Sequence, residues 1–70
     1  MTEVKAELVG SVWKLEAAAG DRVEVDDVLM ILESMKMEIP VTAPVAGTLI
    51  EVRVEEQEVV KEGQVLAVIE

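Results

Sequence analysis

Seventy residues make one small domain with a thin core, on which a deep catalytic cleft is hard to build. The chain has no cysteine and no histidine, which excludes disulfides, Ser–His and Cys–His nucleophiles, and the usual zinc ligands. Fifteen acidic against six basic side chains give a net charge of −9, which repels nucleic-acid phosphates and anionic membrane surfaces and favours solubility and basic protein partners.

The apolar residues are almost all Val, Leu, Ile, Ala and Met, and Trp13 is the one aromatic. No apolar run approaches the roughly 18 residues that a membrane-spanning helix needs. Met1-Thr2-Glu3-Val4-Lys5 lacks the basic-then-apolar pattern of a secretory signal, so a cytoplasmic protein is expected.

The chain repeats itself. Shifted by 37 residues, positions 4–33 lie over 41–70 without a gap, and seven of the thirty pairs are identical, among them Val4/Val41, Gly10/Gly47 and Leu29/Leu66. Twenty-six of the thirty agree in being apolar or not. Two copies are too few for a solenoid. They imply a pseudo-two-fold domain in which each half covers the other's apolar face.

In chain order, strands are predicted near 3–8 and 11–17. Lys14 to Gly20 alone could be the end of a glycine-capped helix, but its copy, Glu51-Val52-Arg53-Val54-Glu55, alternates with period two. In that register Trp13, Leu15 and Ala17 share one face with Ile50, Val52 and Val54. A short extended piece follows around Val23. Val28 to Met37 has helical propensity, yet its copy Val65-Leu66-Ala67-Val68-Ile69 is short and β-branched, so a strand is predicted at 28–33. Pro40 and Pro44 exclude a helix through the middle. Strands follow at 37–42, 47–54 and 65–70, with an extended piece around Val60. Gly10 and Gly47 are expected at equivalent turns. The fold class is all-β, a small sandwich or flattened barrel, with 1–70 as one domain.

Between the copies lies Ser34-Met35-Lys36-Met37-Glu38-Ile39-Pro40, which has no counterpart. It joins consecutive strands and is expected to form a hairpin, near the dyad and away from the termini. Turns usually carry Gly, Asn, Asp, Pro or Ser, whereas this one places a lysine between two methionines, residues that recur on adaptable binding surfaces. The plainer alternative has Met35 and Met37 packing on one face of a continuing strand, with Lys36 an ordinary surface lysine.

Glu33-Ser34-Met35-Lys36-Met37 resembles the attachment motif of biotinyl domains, commonly Glu-Ala-Met-Lys-Met. Gly20-Asp21-x-Val23, Ala43-Pro44-x-Ala46-Gly47 and Val60-x-x-Gly63-Gln64-x-Leu66 are similar to the family's other motifs, and the resemblance covers nearly the whole chain. Ser34 replaces the usual alanine, a change expected to matter little. Asp26 stands where the family has glycine, and Gln57 stands where the first copy has Gly20. The segment 17–23 is too short for the protruding loop of some biotin carriers. The chain is thus similar to the thumbless, free-standing biotin carboxyl carriers of acyl-CoA carboxylase systems.

This resemblance implies a barrel-sandwich hybrid with biotin joined covalently to Lys36 and with Met35 and Met37 as recognition residues, flanked by Glu33, Ser34 and Glu38. An unaided lysine amine is protonated at neutral pH and a poor nucleophile. The resemblance therefore implies a biotin protein ligase that loads Lys36, then a biotin carboxylase and a carboxyltransferase that the arm visits in turn. A carrier that is not itself an enzyme, monomeric on its own, is expected. A lipoyl carrier is the nearest alternative, but lipoyl hairpins usually carry an acidic residue before the lysine. An unmodified scaffold module comes next. An enzyme built on Asp26-Asp27 or Glu55-Glu56-x-Glu58 comes last, because these read as solvated charge at turns.

Overall fold

Each predicted segment becomes a strand, and no helix forms. The computed structural model describes all residues, 1–70. The strands are β1 (Thr2–Lys5), β2 (Gly10–Leu15), β3 (Arg22–Val23), β4 (Val28–Ser34), β5 (Met37–Thr42), β6 (Gly47–Val52), β7 (Val59–Val60) and β8 (Val65–Ile69). They pair antiparallel in two four-stranded sheets, ordered β1-β8-β6-β3 and β5-β4-β2-β7. The sheets stay open at their edges, so the sandwich reading holds and the closed barrel does not.

The repeat governs the pairing residue by residue. Exchanging the halves turns one sheet order into the other. Thr2↔Ile69 becomes Ile39↔Leu32, and the register shift in the β1–β8 ladder recurs between β5 and β4. The interior follows the same dyad. One cluster holds Val23, Leu29, Leu49 and Ile69, and the other holds their copies Val60, Leu66, Val12 and Leu32. Every buried residue is aliphatic or methionine, with no buried polar side chain. Cohesion therefore comes from apolar area removed from water, worth about 25 cal/mol per Å².

Strand lengths and one facing differ from expectation. The strands predicted at 11–17 and 47–54 end at Leu15 and Val52, and the one predicted at 3–8 ends at Lys5. In β2, Val12 pairs with Leu32 and Lys14 with Ile31, which leaves Trp13 as an extra residue. This β-bulge breaks the period of two. Trp13 and its copy Ile50 stay 43% and 40% exposed, while Val12 and Leu49 are fully buried. Beyond the bulge the N–H groups of Glu16 and Ala17 both donate to the Leu29 carbonyl, and that of Leu15 donates to Glu56 Oε2 at 3.0 Å. Ladder pairing ends there.

Gly10 and Gly47 are not turn residues but open β2 and β6. A Cβ on Gly10 would lie 2.7 Å from the Glu33 carbonyl oxygen and 3.4 Å from Ser34 Cβ. One on Gly47 would run into the carbonyl oxygen of Glu70, the copy of Glu33. Only glycine lets these backbones approach so closely.

Four equivalent turns carry the departures at Asp26 and Gln57. They run 18–21, 24–27, 55–58 and 61–64, each closed by a backbone bond from its fourth N–H to its first carbonyl. The third residues, Gly20, Asp26, Gln57 and Gly63, all have positive φ (101°, 74°, 75° and 87°), as type II turns require. The fourth side chains, Asp21, Asp27, Glu58 and Gln64, accept the first residue's N–H at 2.8–3.1 Å. Asp27 and Glu58 are therefore turn braces as well as solvated charge. Replacing Gln57 by glycine removes a left-handed strain of about 1 kcal/mol, partly offset by greater freedom of the unfolded chain. The expected net gain is about 0.5 kcal/mol, or roughly 2–4 °C in melting temperature. A lower melting temperature for Gln57→Gly would contradict the strain.

Candidate functional site

Strands β4 and β5 are joined by two residues, Met35 and Lys36, with Ser34↔Met37 as the closing pair. Both loop residues have positive φ, 53° and 66°. This is the backbone of a type I′ hairpin, whose twist matches that of the strands it joins. Such turns favour Asn-Gly. Holding Met and Lys there costs on the order of 1 kcal/mol each, a local strain that the flanking ladder sustains.

The turn places Lys36 at the hairpin apex, exposed. Four ion pairs form elsewhere, Lys5–Glu3, Lys14–Glu16, Arg22–Glu24 and Arg53–Glu51, and none includes Lys36. The Arg53 guanidinium is held above its ordinary value by its hydrogen bond to Glu51, far from the hairpin in sequence. No side-chain hydrogen bond holds the Lys36 amine either. Met35 is 92% exposed and Met37 63%. The alternative in which both methionines pack on a strand face fails. The strands stop on either side of the turn, and both side chains stand in water.

The residues at the hairpin's foot anchor it. Ser34 Oγ donates to the Val9 carbonyl at 2.9 Å and ties β4 to the loop entering β2. The serine is more than a small substitute for alanine. This bond escapes sequence reasoning because Val9 lies 25 residues away. Glu33 and Glu38 pair directly across the ladder and are exposed, with Ser11 and Val59 continuing the same row. Unbonded like charges face to face oppose pairing slightly. The hairpin does not lie near the dyad. Its counterpart under the exchange of halves is the site where Thr2 meets Ile69, so hairpin and termini occupy opposite ends of a molecule 31 Å long and 17 Å wide.

No three acidic side chains converge closely enough to hold a metal ion. The concavity of the molecule is an open groove between the edge strands β1 and β5, lined by Val4, Leu8, Ile39 and Val41, and the apex residues do not enter it. The arrangement displays one primary amine on a braced turn between two thioethers.

Comparison with known proteins agrees with this geometry. The biotin/lipoyl family model, described as "Biotin-requiring enzyme", matches residues 2–69. A biotinylated protein TB7.3 homolog of Mycobacterium leprae is 48% identical over 67 residues, covering 96% of this chain and 94% of its own. The crystal structure of Kluyveromyces lactis urea carboxylase superposes with a TM-score of 0.92 at 35% identity, covering 97% of this chain but 6% of that one. A single-chain, multi-domain long-chain acyl-CoA carboxylase superposes at 0.88 with 32% identity, covering 94% of this chain and 6% of its own. An all-β sandwich, a family match along almost its whole length and a relative 48% identical over nearly all of both chains together make this chain a member of the biotin/lipoyl attachment family, a carrier domain rather than a catalyst.

Proposed function

We propose that Lys36 carries biotin in amide linkage and that the loaded domain shuttles a carboxyl group between a biotin carboxylase and a carboxyltransferase. The observation that carries the reading is the free amine of Lys36 at the apex of a strained, well-anchored turn between two exposed methionines. A group joined through an amide fits this site, since the nitrogen has no competing partner and open solvent surrounds it. A biotin protein ligase supplies biotin as its adenylate. The lysine nitrogen, deprotonated in the ligase site, attacks the acyl carbon, the C–N bond forms and AMP leaves. One positive charge is lost, and the net charge moves from −9 to one unit lower.

The domain's own contribution is positioning. A strand-anchored turn holds the attachment nitrogen at a defined place, and the tether makes each visit to a catalytic subunit intramolecular, raising effective concentration. Biotin itself supplies a ring nitrogen that carries the carboxyl group. Met35 and Met37 offer apolar contact to the ligase and both catalytic subunits, and the acidic surface suits basic partners. An acyl-CoA as final acceptor, a monomeric carrier and a cytoplasmic location belong to this proposal. The acyl-CoA carboxylase superposition supports the first, and the absence of cysteine suits the last.

Co-expression with a biotin ligase, followed by intact-mass measurement and peptide mapping, tests the reading. One biotinyl group at Lys36 is expected. A lipoyl adduct instead, or no adduct beside an active ligase, would overturn it.

A further inference from the structure

We propose that Met35 and Met37 form a reversible oxidation site that gates the loading of Lys36. The inference rests on the biotin reading above and adds a control to the same hairpin.

With no cysteine in the chain, its four methionines hold all of its sulfur. Folding sorts them sharply. Met30 is 1% exposed inside the core, whereas Met35 and Met37 are 92% and 63% exposed on either side of Lys36. Met1, at the N-terminus, is 87% exposed, and the pairing puts it at the end opposite the hairpin. A peroxide reaching the folded protein therefore meets sulfur at the hairpin and at one remote position. Met35 buries almost nothing within its own chain, so its apolar surface is available only to a partner.

The chemistry balances simply. The thioether sulfur gives two electrons to hydrogen peroxide, the O–O bond breaks, an S–O bond forms and water leaves. A methionine sulfoxide reductase reverses this with two thiols, which become a disulfide as the oxygen departs as water. The sulfoxide replaces a flexible apolar tip with a strong acceptor that a partner must desolvate. The fold is indifferent, because these side chains contribute no core packing.

The test treats the unmodified protein with hydrogen peroxide, maps sulfoxides by peptide mass and measures ligase kcat/KM for biotinylation. Sulfoxide at Met35 and Met37 with Met30 intact is expected, together with a fall in kcat/KM of about tenfold, the effect of a single poorly desolvated polar group. Sulfoxide reductase with a thiol should restore the rate. Met35→Leu/Met37→Leu sets its own baseline, which peroxide should not move. Untreated protein that is not biotinylated overturns the biotin reading itself. Untreated protein that is loaded, with an oxidised form loaded equally fast, overturns only the gate. So does a loss that persists in the double leucine variant, which would place the lesion at Met1 or Trp13, or a loss the reductase does not repair. Oxidation of Met30 at the hairpin's rate would show that exposure does not select the site.

Discussion

Lys36→Arg is expected to take biotin incorporation from one group per chain to none, with folding stability unchanged within about 0.5 kcal/mol, as for other surface changes that break no contact. Lys36 is exposed, with no ion pair or side-chain hydrogen bond to lose, and both residues bear the cost of its 66° φ alike. The chemistry changes completely. A guanidinium stays protonated at any accessible pH and spreads its charge over three nitrogens, so no lone pair is free to attack an acyl-adenylate. The other lysines are internal controls. Lys5 and Lys14 sit within β1 and β2, paired with Glu3 at 3.9 Å and Glu16 at 3.7 Å, and Lys61 opens the turn at 61–64. None is at a hairpin apex. Streptavidin blotting with peptide mapping decides the matter, and a biotin on any other lysine of the variant would refute the hairpin as the determinant.

The largest effect on stability is expected from Gly10→Ala, a loss of about 3 kcal/mol. That is a large part of the roughly 3–10 kcal/mol available to a chain of this length. The added methyl meets the Glu33 carbonyl oxygen at 2.7 Å and Ser34 Cβ at 3.4 Å. The oxygen belongs to a central strand of the sheet, so relief requires β2 and β4 to separate. The entropy that alanine removes from the unfolded chain, about 0.4–1 kcal/mol, does not offset this. Gly47→Ala, its copy, should lose a similar amount against Glu70. The pair differ in function. Glu33 and Ser34 form the foot of the hairpin, so Gly10→Ala should also slow biotinylation, whereas Gly47→Ala strains the end where the termini lie. Urea unfolding monitored at Trp13, with ligase rates measured well below the transition, separates the two effects. Wild-type stability in either variant would contradict the close approach.

Much of the molecule was legible because the chain is written twice. An ambiguous segment such as Lys14 to Gly20 became clear beside its copy at 51–57, and apolar matching at one shift anticipated a dyad that the ladders obey pair by pair. The site was legible for the converse reason. Ser34 to Met37 is the one stretch without a copy in the fold, so its composition is to be read for something other than the core. Alternation assumes one residue per ladder step and so puts Trp13 on one face with Leu15 and Ala17, whereas the bulge is set by the partner strand. Glycine serves turns and close approaches equally, so the turns expected at Gly10 and Gly47 are told from the close approaches found there only by the opposing carbonyl.

The all-β class, the places of the strands along the chain, the pseudo-symmetry and the singular standing of Lys36 are all legible in the amino-acid order. These follow from side-chain periodicity and repetition, which are properties of one strand at a time. The tertiary structure alone decided that the sandwich stays open, that Trp13 faces water while Val12 fills the core, and that Asp21, Asp27, Glu58 and Gln64 brace the turns. It also shows that Ser34 is bonded to Val9, and that the lysine hairpin, expected away from the termini, stands off the dyad rather than near it. Each of these depends on which groups two distant segments bring within contact or hydrogen-bond distance, and no local pattern encodes that distance.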